Sequence, residues 1–98
     1  MKFIFKSSGQ YLGSIVNDYL FSRDGEYLGW IEGKYVWDKS GQFRGNTTED
    51  GRYIVRNIYT IPPVPRVPKP YPVTPSLPAP QANISPIVLP VGNIDAFN

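Results

Sequence analysis

YLFSRDGEYLGWIEGK, residues 19–34, is the unit from which most of this chain is built. Shifted by sixteen residues, it aligns without a gap with FIFKSSGQYLGSI from Phe3 and with YVWDKSGQFRGNT from Tyr35. The columns that coincide are the glycines Gly9/Gly25/Gly41 and Gly13/Gly29/Gly45 and the aromatic residues Phe3/Tyr19/Tyr35, Phe5/Phe21/Trp37 and Tyr11/Tyr27/Phe43. A fourth, degenerate copy begins at Tyr53 without the turn glycine. The chain is therefore an internal repeat of a small structural unit.

Each copy has the sequence of a β-hairpin. Its two arms, such as residues 19–22 and 27–31, are rich in aromatic and aliphatic strand formers. Between the arms, a polar loop has Gly at its fourth position, where a type I turn with a G1 bulge needs a left-handed residue. Two-residue connections at Asn17–Asp18 and Gly33–Lys34 join the copies and suit primed turns. The sequence therefore predicts an all-β protein, an antiparallel meander of about eight strands in four hairpins.

Alternation along the strands predicts which side chains share a face. In the first arm, Phe3 and Phe5 point one way together with their equivalents, and in the second arm Tyr11, Gly13 and Ile15 share a face. Four such hairpins cannot each bury an aromatic face alone. We therefore expect them to gather around a shared centre, as a short closed barrel or as petals about a pseudo-four-fold axis.

The repeated pattern Y-[LV]-[FW]-x-x-x-G-x-[YF]-x-G, followed by a proline-rich tail, resembles the four-fold β-flower family of small bacterial proteins. The resemblance covers roughly residues 1 to 61. It implies four hairpins around a central axis and implies no activity. The fourth copy departs from the pattern because it lacks the turn glycine.

The boundary between the repeats and the rest of the chain is sharp, because all eleven prolines lie between Pro62 and Pro90. We predict a β-hairpin repeat domain over residues 1–61 and an extended proline-rich tail over residues 62–98. Proline fixes φ and removes a backbone donor, so the tail is expected to be polyproline II. Its PxxP spacing is the pattern that aromatic-lined grooves recognise. A spacer, or a strap over the domain's own tyrosines, explains the same prolines.

The composition excludes several kinds of chemistry. Without Cys or His, the chain offers no disulfide, thiol nucleophile, zinc site or histidine base. Acidic residues lie at or beside turns, where they are expected anyway, and no base activates the serines. We therefore predict no enzyme activity, catalytic residue, metal or cofactor. The net charge of +2 comes from interspersed charges of both signs, which argues against a nucleic-acid partner.

Nothing in the sequence indicates a membrane span. No apolar stretch reaches the necessary length, and MKFIFKSSGQ lacks the apolar core of a signal peptide. We expect a cytoplasmic protein.

Binding is the class of function that the composition favours, because aromatic side chains offer stacking faces and polar tips. We predict a non-catalytic binding domain that holds a slender, partly apolar small molecule or chain in an aromatic centre. The predicted ligand-binding residues are Phe5, Phe21, Trp37, Trp30, Tyr27, Tyr11 and Phe43. Two alternatives stay open. The same residues can serve only to fill the core, or the protein can be a scaffold that presents its proline-rich tail to a protein partner.

Overall fold

The computed structural model describes residues 1–73 and 81–97, so residues 74–80 and Asn98 of the predicted tail lie outside the description. Eight strands form one antiparallel sheet in chain order. They are β1 (Lys2–Phe5), β2 (Tyr11–Val16), β3 (Tyr19–Ser22), β4 (Tyr27–Glu32), β5 (Tyr35–Asp38), β6 (Phe43–Thr47), β7 (Ile54–Asn57) and β8 (Asn93–Asp95). The sheet curls into a half-barrel, and the described residues contain no helix. The predicted all-β meander is confirmed.

The three loops within hairpins have the predicted geometry. Gly9, Gly25 and Gly41 have φ of 90°, 88° and 89°, in the left-handed region that a Cβ disfavours. In each loop the glycine N–H donates to the carbonyl oxygen three residues earlier, and the strand register shifts beside the loop. These are the features of a type I turn followed by a G1 bulge.

The first two connections between copies are primed turns. Asn17 and Asp18 have φ of 52° and 65°, as a type I′ turn requires. In the next connection Gly33 has φ of 61° at the first central position, as in a type II′ turn. Such turns match the right-handed twist of strands and so place each copy beside the previous one.

One aliphatic residue from each copy forms the centre of the core. The four equivalent residues are Ile4, Leu20, Val36 and Ile54, which are between 0 and 3% exposed. They belong to one contact cluster, as expected of equivalent side chains around a pseudo-four-fold axis. The aromatic residues Phe5, Phe21 and Trp37 come directly after Ile4, Leu20 and Val36 in the sequence. Their side chains therefore point to the opposite face. The sequence predicts an aromatic centre, whereas the structure places aliphatic side chains there.

The second glycine column permits a close approach of neighbouring strands. A Cβ on Gly13 would lie 1.9 Å from the main-chain oxygen of Phe21. A Cβ on Gly29 would lie 1.9 Å from that of Trp37. Because the obstacle is main chain, only a residue without a side chain fits.

The eighth strand comes from the end of the chain, within the predicted tail. β8 pairs antiparallel with β7, and the Ala96 N–H donates to the carbonyl oxygen of Ile54 at 3.1 Å. Ile54 is the equivalent of Ile4, whose partner in the first hairpin is Gly13. Ala96 therefore occupies the glycine position of the fourth hairpin. The fourth copy lacks its turn glycine because a long connection replaces the tight turn.

A carboxylate joins the fourth copy to the first. The Arg23 N–H in the second loop donates to the carbonyl oxygen of Leu12 in the preceding copy, and the third loop repeats this contact. Ser7 is the equivalent residue of the first loop, and its N–H donates to Oδ1 of Asp95 at 2.8 Å instead. The Ser7 hydroxyl donates to Oδ2 of Asp95 at 2.7 Å. Asp95 thus ties β8 to the first hairpin.

Candidate functional site

The aromatic side chains form one cluster of three rings in each hairpin. The ring from the second arm contacts both rings of the first arm, with centroids between 5.6 and 6.4 Å apart. The clusters are Phe3/Phe5/Tyr11, Tyr19/Phe21/Tyr27 and Tyr35/Trp37/Phe43. Their tilted and edge-to-face geometries are those that ring quadrupoles favour. We call these nine rings, together with Trp30, the aromatic face.

The seven residues predicted to bind a ligand all belong to the aromatic face. They group as Phe5 with Tyr11, Phe21 with Tyr27, and Trp37 with Phe43, with Trp30 stacked on Trp37. The Trp30 and Trp37 centroids are 6.5 Å apart with 20° between the planes, so they join the second hairpin to the third. The structure thus brings the predicted residues together within hairpins, while the pseudo-axis is aliphatic.

The tail is bound to two hairpin loops by main-chain hydrogen bonds. The Arg66 N–H donates to the carbonyl oxygen of Gly41 at 2.8 Å, and the Ile84 N–H donates to that of Gly9 at 2.9 Å. A Cβ on either glycine would lie 1.9 Å from the carbonyl oxygen of its tail residue. The loop glycines therefore both form the turn and admit the tail.

Two cations of the tail lie over the two tryptophans. The Arg66 guanidinium is 5.4 Å from the centroid of Trp37, and the Lys69 ammonium is 5.6 Å from that of Trp30. The Glu32 carboxylate pairs with both cations and accepts a hydrogen bond from the Trp30 indole N–H at 3.0 Å. Each cation–π contact at an exposed site is worth about 0.5–1 kcal/mol. Several weak contacts together hold this part of the tail.

The second hairpin contacts the tail through a tyrosine pair. The Tyr71 ring lies 5.0 Å from the ring of Tyr27. Burial, followed by the nearby Tyr19 and Tyr71, raises the pKa of Tyr27. The Tyr27 hydroxyl and the Trp37 indole N–H are buried without a hydrogen-bond partner in the described part of the chain. A buried polar group left unpaired costs about 1–3 kcal/mol. These two aromatic residues are therefore places where a hydrogen-bonding partner would stabilise the protein.

The first hairpin is covered in the same way by a later part of the tail. Phe5, Tyr11 and Tyr53 form a buried cluster against which Ile84 packs. The Tyr11 N–H donates to Oδ1 of Asn83 at 3.3 Å. The tail therefore lies along the rings of more than one hairpin.

The residues of this site that were not predicted from the sequence include Glu32, Arg66 and Lys69. The available signal was a pair of basic residues three positions apart within a proline run, with an acidic residue two positions after Trp30. Neither feature alone indicates that the two segments meet.

A separate cavity of about 210 Å³ is lined by equivalent residues of three copies, Ile15, Ile31 and Thr47. It therefore lies on the pseudo-axis. Lys2 and Asp18 also line it. Its walls include none of the aromatic residues predicted to bind a ligand.

Among residues 1–73 and 81–97, no group of three or more His, Cys, Asp or Glu side chains is placed to hold a metal ion. A helix long and apolar enough to cross a membrane is likewise absent from these two ranges.

Residues 1–91 match the family model described as "4-fold beta flower protein". The match extends beyond the repeats into the proline-rich segment that contacts them. Comparisons with curated proteins and with solved structures gave no match. On the family match, together with the fold, the chain belongs to the four-fold β-flower family.

Proposed function

We propose that the protein is a non-catalytic binding domain whose aromatic face holds an extended, proline-rich chain. In this molecule the chain's own tail occupies that face. The observation that carries the proposal is a contact made twice. Arg66 and Ile84 each donate a main-chain hydrogen bond to a loop glycine, and each also lies against aromatic side chains of that hairpin.

The spread of the contacts favours an elongated ligand over a compact one. Arg66 binds the third hairpin, Tyr71 contacts the second, and Ile84 binds the first. A ligand that reaches all three hairpins must be long and thin. A polyproline II chain suits this requirement because it is already extended and loses little conformational entropy on binding.

Charge supplies the selectivity of the site. Glu32 pairs with Arg66 and Lys69 while it accepts a hydrogen bond from Trp30. A carboxylate fixed beside two tryptophan rings favours a cation at each ring. The preferred ligand is therefore a proline-rich segment with basic residues three positions apart.

Binding of a peptide in trans tests the proposal. In a full-length variant with Arg66→Ala, Lys69→Ala and Tyr71→Ala, the tail is bound less tightly to the aromatic face, and the rings of that face are unchanged. We expect this variant to bind the peptide IPPVPRVPKPYPV, residues 61–73, with a saturable change in Trp30 and Trp37 fluorescence.

The control is the same peptide with alanine at the Arg66 and Lys69 positions, which should bind much more weakly. If the folded variant binds both peptides equally, or binds neither, the aromatic face is not a site for a basic proline-rich chain.

A further inference from the structure

Between residues 61 and 73, the half-buried positions are Pro63, Lys69 and Pro72, which are separated by multiples of three residues. One row is almost fully exposed: Ile61, Val64, Val67 and Val73, between 82 and 93%. The row of Pro63, Lys69 and Pro72 also contains Arg66, which is exposed but pairs with Glu32, as Lys69 does. Three residues per turn is the period of a polyproline II helix. A helix with this period places the row of Pro63 toward the domain and the apolar row toward water.

The exposed side of this segment carries two Val-Pro dipeptides, one polyproline II turn apart. Val64–Pro65 and Val67–Pro68 are exposed and start three residues apart. Aromatic-lined grooves bind PxxP segments as preformed polyproline II helices. A groove approaches from one side, so the dipeptides remain accessible while Arg66 and Lys69 stay on the domain.

The chemistry of the outward side identifies the kind of partner. Contiguous exposed apolar side chains on a soluble protein mark an interaction site. The nearby cations, Arg66 and Lys69, are already paired with Glu32. Both cation side chains are about half exposed, at 50% and 42%, but each already has Glu32 as its counter-ion. The exposed apolar side chains suit a groove of aromatic rings better than an acidic surface.

We propose that this segment is a docking surface for a second protein that has a groove lined by aromatic side chains. Val64–Pro65 and Val67–Pro68 enter the groove while the domain holds the opposite side of the helix. This inference rests on the proposed function, since retention on the aromatic face is what orients the dipeptides outward. Because the cations are paired within the molecule, binding depends little on ionic strength.

The test uses a panel of purified SH3, WW and EVH1 domains titrated into the full-length protein and followed by NMR. We expect at least one domain to bind, with affinity little changed between about 50 and 500 mM salt. Val64→Glu with Val67→Glu should weaken that binding by about tenfold or more, because a carboxylate cannot enter an apolar groove without a partner. Val88→Glu with Val91→Glu, at positions 96% and 92% exposed, is the matched control and should bind normally.

Three results would overturn the inference: no domain of the panel binds, the control variant is weakened equally, or the protein self-associates through Val64 and Val67. The indole N–H signals of Trp30 and Trp37 separate this outcome from failure of the proposed function. They should stay in place on docking. A shift to the values of the triple variant Arg66→Ala, Lys69→Ala and Tyr71→Ala would show that docking releases the segment from the aromatic face. That result would contradict this inference, because the inference requires the segment to stay bound to the domain. The proposed function would then be decided by the peptide-binding experiment.

Discussion

Gly29 and Gly33 lie four residues apart in the second copy and serve different purposes. A Cβ on Gly29 would lie 1.9 Å from the carbonyl oxygen of Trp37, whereas Gly33 has open space and φ of 61°. We expect Gly29→Ala to lower the free energy of unfolding by about 3 kcal/mol, because the main-chain oxygen cannot move without breaking the pairing of β4 with β5.

Gly33→Asn is the control for that substitution. Asn17 adopts a positive φ of 52° at the equivalent position of a type I′ turn, and a side chain at Gly33 meets open space, so the change should cost only about 1 kcal/mol. Chemical denaturation measures both variants. Equal losses for Gly29→Ala and Gly33→Asn would contradict the steric account of the second glycine column.

The contribution of the third loop to the free energy of unfolding depends on pH because of Asp38. Its Oδ1 accepts hydrogen bonds from the N–H groups of Ser40 and Gln42 and from the Ser40 hydroxyl. Burial alone would raise the pKa of Asp38, but these hydrogen bonds and the nearby Arg44 outweigh burial and lower that pKa. A lowered folded-state pKa contributes stability above the unfolded-state pKa, and this stability is lost as the pH falls through the folded-state pKa.

Asp38→Asn keeps an acceptor oxygen but cannot ionise. We expect it to lower the free energy of unfolding by about 1–2 kcal/mol at neutral pH, with a difference from the wild type that shrinks below about pH 4. Denaturation at a series of pH values measures this. Asp24→Asn, in the exposed part of the second loop, should have little effect. A loss for Asp38→Asn that is independent of pH would show that the charge is irrelevant.

At the scale of the elements, the fourth hairpin depends on β8 and on Asp95. The Asp95 carboxylate accepts two hydrogen bonds from Ser7. We expect Asp95→Ala to destabilise the protein by about 2 kcal/mol, as for hydrogen bonds to a charged group, and to speed hydrogen exchange at the Ala96 amide. Ile94→Thr, at an exposed neighbouring position and with strand propensity preserved, is the control. Unchanged exchange at Ala96 in Asp95→Ala would mean that the carboxylate does not hold β8.

The repeat was sufficient to predict the hairpins, because each turn type needs glycine or asparagine at a fixed place. β8 could not be predicted in the same way. It is three residues long, Asn93–Asp95, and residues 58–92 separate it from its partner. No local pattern of propensity or alternation marks so short a strand after a proline run.

The sequence also could not decide which face of the first arm lies at the centre. Leu20 and Phe21 are both buried, so alternation separates their faces without ranking them. The aliphatic face lies at the centre, and the tail covers part of the aromatic one. Contacts such as Glu32 with Arg66 depend on where the tail crosses the hairpins. The spacing of prolines does not determine that path, so these contacts could not be predicted from the sequence.

At the scale of the whole molecule, the tail and the hairpins behave as one unit only if Glu32 and the loop glycines hold the tail. We expect Glu32→Ala to speed trypsin cleavage after Arg66 by about tenfold, since the weak contacts around it together supply on the order of 1–2 kcal/mol of local stability. Glu26→Ala removes a comparable exposed ion pair, with Lys39 at 3.7 Å, and should leave that cleavage unchanged. Equal rates in the two variants would argue against a held tail.

Hydrogen exchange at single amides of the full-length protein tests the central claim most directly. The Arg66 and Ile84 N–H groups donate to Gly41 and Gly9, so their exchange should be slowed, as in the strands. The Val64 and Val67 amides, which donate no hydrogen bond to the described residues, should exchange at the rate of a free chain. If Arg66 and Ile84 exchange as fast as Val64 and Val67 while the amides of β3 and β4 stay protected, the aromatic face does not hold the tail.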